Sequence, residues 1–62
     1  SLTRSEYRII ILICQGKQTK EISDILGITE ATVRTHIQRI HSKLGVNNNI
    51  EVASWAHDKR II

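Results

Sequence analysis

Between residues 30 and 44, Val33, Ile37, Ile40 and Leu44 recur at spacings of four, three and four, and Gly45 follows directly. That recurrence matches the 3.6-residue period of an α-helix and no strand, and glycine just past the last apolar position is a helix stop. Thr29 stands where a helix start needs a side-chain acceptor. One long helix is therefore expected. The whole chain has 62 residues, 40% of them hydrophobic, so that helix must share a single small core with the rest, and residues 1–62 read as one domain. With no proline, Gly16, Gly27 and Gly45 divide the chain into four segments.

The other segments also have helical spacing. In "LTRSE", Thr3 can cap a helix and Glu6 can close a capping box, which predicts a helix from about Arg4 to Gln15. Ile9, Ile10, Leu12 and Ile13 form its inner side, while Ile11 lies roughly 200° around from Ile9. Ile11 is either an ordinary surface hydrophobe or a contact for a neighbouring domain of a longer chain. In "QTKEISDIL", Ile22, Ile25 and Leu26 form the apolar side of a short helix ended by Gly27. A fourth helix, about Asn49 to Lys59, has two apolar sides: Ile50, Ala53 and Ala56 on one, Val52, Trp55 and Lys59 on the other. The first is expected to face the core. Val52 and Trp55 are then left partly outside, with Trp55 as an interface anchor, although a domain this small could also use Trp55 to complete its core. The expected fold is all-α, a four-helix bundle containing a helix-turn-helix. In that motif the small Ser23 lets two helices approach, Gly27 makes the turn and Val33 plugs the angle between them.

Charge points to a partner. Nine Lys and Arg against six Asp and Glu give +3 and a pI of about 9.5, which suits an acidic ligand. After Glu30 no acid occurs until Glu51, while Arg34, Arg39 and Lys43 lie between them. On a helical wheel with the apolar stripe as floor, Thr35, Ala31, Gln38 and Ser42 lie opposite it. Arg34 flanks one side of this ridge; Thr32, Arg39 and Lys43 flank the other. Compact hydrogen-bonding groups on a crest, with cations along its shoulders, suit a helix placed in the major groove of double-stranded DNA. Lys20, in the first turn of the second helix, is placed to meet a phosphate.

Other classes fit poorly. Cys14 is the only cysteine, so there is no disulfide framework, and a buried reduced thiol in a cytoplasmic protein is expected. The run "IIILIC" is too short to cross a bilayer. His36 and His41 point roughly 140° apart on one helix and His57 lies on another, so no metal site is expected. His36, beside the core stripe, suits a packed role better than base reading. No nucleophile pairs with a base and no glycine-rich phosphate loop follows a strand, so neither catalysis nor a cofactor is expected.

The blocks "LT..E", "KEI", "LGIT", "TVRTHI", "KLGV" and "E.A" resemble, in order and spacing, the LuxR-type (GerE-like) DNA-binding domain, over nearly the whole chain. The look is nearest to NarL-like response-regulator output domains, which end in an apolar tail like "AHDKRII". The resemblance implies transcription regulation, with base contacts at Arg34, Thr35 and Gln38 and phosphate contacts at Lys20, Thr29, Thr32 and Lys43. It also implies a weak homodimer on two-fold-symmetric DNA through the fourth helix, here Val52, Trp55 and Lys59. The parent would be a longer regulator with this domain C-terminal to a receiver or ligand-sensing domain, and RNA polymerase is a candidate partner. Three positions depart from the family pattern: Thr19 replaces a common Asn, Gln38 a common Lys or Arg, and Asn49 a common Arg. Gln38 favours adenine over guanine. Asn49 forfeits the family's cation and suits a helix cap together with Asn48. Two alternatives share parts of the pattern. Region 4 of a sigma factor has similar "KEI" and "TVR" blocks but usually stops soon after "KL". A protein-interaction module could keep the fold without binding DNA.

Overall fold

The structure, a computed structural model, describes residues 1–61; Ile62, the last residue of the apolar tail, lies outside them. In chain order the helices are α1 Arg4–Cys14, α2 Thr19–Leu26, α3 Glu30–Leu44 and α4 Asn49–Asp58. Among the described residues there is no strand, so the fold is all-α. α1 packs on α4 and α3, α2 packs on α3, and α3 touches α4.

Helix starts follow local chemistry. Thr3 Oγ1 accepts from the Glu6 amide at 3.1 Å while Glu6 Oε1 accepts from the Thr3 amide at 2.7 Å, the reciprocal box expected for α1. Asn48 caps α4 by accepting from the Glu51 amide at 2.9 Å. The helix ends share one device: the amides of Lys17, Ile28, Val46 and Ile61 reach back to the carbonyls of Leu12, Ser23, His41 and Ala56. Such a bond needs a left-handed residue just before it. Gly16, Gly27 and Gly45 supply it at φ 80°, 69° and 69°, and at the end of α4 Arg60 takes φ 57° instead.

Ile9, Ile10, Ile22, Val33, Ile40 and Val52 are the largest fully buried side chains, with Ile13 and Ala56 beside them. Each such aliphatic side chain contributes about 1.5–3 kcal/mol by leaving water. The α3 stripe is core as expected: Val33 and Ile40 lie at its centre, and Ile37 and Leu44 pack half-buried at its edge. Ile11 is exposed, as its angular position predicts.

Two expectations are corrected. Ile25, expected in the core, is 52% exposed. Ser23 is buried where α2 meets α3, which turns the inner face of α2 toward Ser23 and away from Ile25. Its hydroxyl donates to the Lys20 carbonyl at 2.7 Å, so nothing polar is left unpaired at that close approach. On α4 the buried line takes one residue from each expected side: Val52 and Ala56 are both 0% exposed, while Ile50 is 82% exposed. Val52 is therefore a core residue and not part of a dimer seam. Ile50 sits in the first turn of α4, while Val52 and Ala56, four residues apart, form the line that meets α1.

Candidate nucleic-acid interface

The turn between α2 and α3 sets the geometry. Gly27 closes α2, Ile28 packs against the core, and α3 starts at once from Thr29. Thr29 Oγ1 accepts from the Thr32 amide at 3.1 Å, and the two hydroxyls lie 2.9 Å apart. Two polar side chains are thus fixed, exposed, at the mouth of the helix, where the dipole and free amides favour an anion. Lys20 is exposed in the first turn of α2.

Along α3, Ala31, Thr32, Arg34, Thr35, Gln38, Arg39, Ser42 and Lys43 are all exposed, opposite the buried Val33 and Ile40. Thr35, Gln38, Arg39, Ser42 and Lys43 line a shallow open groove of about 380 Å³. Thr35 Oγ1 donates to the Ala31 carbonyl at 3.1 Å, which leaves its methyl group and acceptor lone pairs for an external partner. Arg34 carries a side chain 62% exposed, and its Nη1 lies 3.8 Å from Glu30 Oε1.

Lys43 has a role that sequence reasoning missed. Its Nζ lies 2.8 Å from Glu6 Oε1 and donates to the Ser1 carbonyl at 3.0 Å. The ammonium thus joins the end of α3 to the start of α1, and a phosphate would have to share it with a buried carboxylate. The hydrogen bond from Lys43, followed by the Thr3 amide, holds the Glu6 carboxyl below its ordinary range against the opposing effect of burial. The signal in sequence was a glutamate at a capping position thirty-seven residues from its lysine, a separation no local rule spans. Arg39, expected only as a shoulder, belongs to the groove itself.

Other residues take structural places. His41 Nε2 donates to Asn49 Oδ1 at 2.9 Å, so Asn49 ties α4 to α3 and Asn48 alone caps the helix. His36 is half-buried beside Ser5, Arg8, Ile9, Leu26 and Ile28, away from the crest. Cys14 is a partly buried free thiol, and burial pushes its pKa up. Trp55 packs half-buried against the core and Lys59 is exposed. Among the described residues no helix is long and apolar enough to cross a membrane.

Comparison with known proteins agrees with this geometry. Residues 1–56 match the family described as bacterial regulatory proteins, luxR family. The chain is 45% identical over 62 residues to the transcriptional regulatory protein LiaR of Bacillus subtilis (strain 168), covering 100% of this chain and 29% of that protein. It is 40% identical over 60 residues to the nitrate/nitrite response regulator protein NarL of Escherichia coli (strain K12), covering 97% of this chain and 28% of that one. The crystal structure of the response regulator ChrA of a heme-sensing two-component system superposes with a TM-score of 0.94 at 37% identity, over 100% of this chain and 31% of that one. The chain therefore spans less than a third of the length of these relatives. Fold, motif spacing and likeness over the full chain converge: it belongs to the luxR family of bacterial regulatory proteins.

Proposed function

We propose that this chain is the sequence-specific DNA-binding module of a bacterial transcription regulator, with α3 lying in the major groove. The observation that carries the reading is the exposed face of α3: from Ala31 to Lys43 it holds hydroxyl, amide, methyl and cationic groups and no carboxylate, and it stands clear of the core behind a tight glycine turn. Arg34, Thr35 and Gln38 are the base-reading residues. The Arg34 fork suits guanine O6 and N7, the Gln38 amide suits adenine, and the outward methyl of Thr35 suits thymine. Thr29, Thr32 and Lys20 meet phosphates around the mouth of α3, and Lys43 adds charge at the far end while held by Glu6.

Two copies on an inverted repeat fit this reading, meeting through the exposed Ile50 side of α4; Trp55 and Lys59, roughly 140° and 180° around the helix from Ile50, lie outside that contact. A regulatory domain elsewhere in the same polypeptide, with RNA polymerase as a further partner and the cytoplasm as the setting, completes it. The test is selection of a preferred site from a randomised duplex pool, followed by titration of that site and of random DNA at two salt concentrations. The selected site should bind at least about 10³-fold more tightly than random DNA, with affinity on both falling as salt rises. Equal affinity for the two would remove sequence reading, and no binding to either would favour a protein-interaction module.

A further inference from the structure

Three helices begin with a glutamate folded back on the helix start. Glu6 accepts from the Thr3 amide, Glu21 from the Gln18 amide at 2.9 Å and Glu51 from the Asn47 amide at 2.7 Å. In each case the glutamate is the third residue of its helix. α3 departs from the pattern: Thr32 holds that position and bonds Thr29, while the only carboxylate of the helix has moved to its first residue, Glu30. There it lies 3.8 Å from Arg34 Nη1, with side-chain exposures of 46% for Glu30 and 62% for Arg34.

We infer that Glu30 is a specificity-determining positioning residue, one that keeps Arg34 available for a base and unavailable to a phosphate. The inference rests on the DNA-binding reading above. A gap of 3.8 Å exceeds hydrogen-bond length, and an exposed pair one helical turn apart is weak, so the pair can open. A guanidinium has five N–H donors, and a fork on guanine uses two of them, leaving an edge for the carboxylate. On the cognate base Arg34 keeps both partners. A phosphate, by contrast, competes with Glu30 for the same cation and is repelled by it. Glu30 thus penalises loosely docked, backbone-only complexes more than the complex in register. A negative charge beside the bases otherwise opposes binding to a polyanion.

The experiment uses the whole chain, with Glu30→Gln, which keeps shape and removes charge. Affinity for random duplex should rise several-fold, with its salt slope steeper by about 0.9 as Arg34 takes up a phosphate. Affinity for the selected site should change less, so the ratio of the two falls. Glu30→Asp, which keeps the charge, should retain most of the original ratio, and the slope change should vanish in an Arg34→Ala background. A thermal midpoint close to the parent's shows that folding is not the cause. Equal gains on both duplexes, an unchanged slope, or a slope change that persists without Arg34 would each overturn the inference. A parent protein with no preferred site would instead remove the DNA-reading proposal, and this inference with it.

Discussion

At position 34 the guanidinium stands in water, 62% exposed, with one loose partner, so its removal leaves no buried group orphaned. Arg34→Ala should leave the thermal midpoint nearly unchanged and cost about 1–3 kcal/mol on the selected site, with relaxed preference at one base pair. Equal loss on selected and random DNA would make Arg34 a phosphate contact. Lys43 is the opposite case. It lies on the same face, yet its Nζ is bonded to Glu6, which is 2% exposed. The Glu6 carboxyl is held below its ordinary range, first by Lys43, so its folded pKa lies below its unfolded one. The stability this provides is fully present above the unfolded value, about 4.3, and is lost as pH falls through the folded value. Because the Lys43 side chain is 36% exposed, water screens the pair, and about 1 kcal/mol is expected. Glu6→Gln should therefore lower stability at neutral pH by that order and flatten its acid dependence. Chemical denaturation at pH 7 and at points below pH 4.3 checks both; parallel curves would separate Glu6 from the acid response.

The elements show where helical periodicity is enough and where it is not. The α3 stripe is continuous, four apolar residues on one line, so any partner must meet that line, and Val33 and Ile40 are 0% exposed. α4 carries two apolar lines and its choice is made by α1. Burying Val52 with Ala56 places a branched side chain against α1, whereas Ile50 in the first turn projects beyond it. Val52→Ala should cost roughly 2 kcal/mol or more, lowering the midpoint by on the order of 10 °C, while Ile50→Ala should stay within about 0.5 kcal/mol. Thermal unfolding of the two variants would show whether the order is reversed. The end of α4 offers the converse test. Arg60 at φ 57° occupies a conformation that costs a side-chain-bearing residue about 1–2 kcal/mol. Glycine meets the same requirement after the other three helices. Arg60→Gly should raise stability by up to about 1 kcal/mol, reduced by the entropy glycine adds to the unfolded chain, and a lower midpoint would contradict the role given to that φ.

The molecule measures 29 × 20 × 19 Å. Two recognition helices on one face of DNA are separated by one turn, about 34 Å, so two copies fit on adjacent half-sites side by side, and only their facing edges can touch. An edge of that size is too small for a stable dimer in dilute solution. Cooperative binding to an inverted repeat by an otherwise monomeric domain is expected. Ile50, 82% exposed on α4, is the residue to test: Ile50→Glu should abolish cooperativity while leaving half-site binding and thermal stability nearly intact. Cooperativity that survives would place the seam elsewhere.

What the sequence determined by itself was whatever a few consecutive turns of chain can decide. Helix limits follow from caps and glycines, the α3 floor from its apolar period, and the crest of Ala31, Thr35, Gln38 and Ser42, with Arg34 on its shoulder, from the same wheel, because these depend on angles within one helix. The family is legible for the same reason, since its motifs are the local requirements of the helix-turn-helix. Which of two apolar sides of α4 turns inward, why Ile25 stays in water while Ser23 does not, and that Lys43 is tied to Glu6 were decided only by tertiary structure. Each depends on where a second helix lies, and burial is a relation between elements distant in the chain. A helix with one apolar face states its orientation; a helix with two must have it chosen by a neighbour.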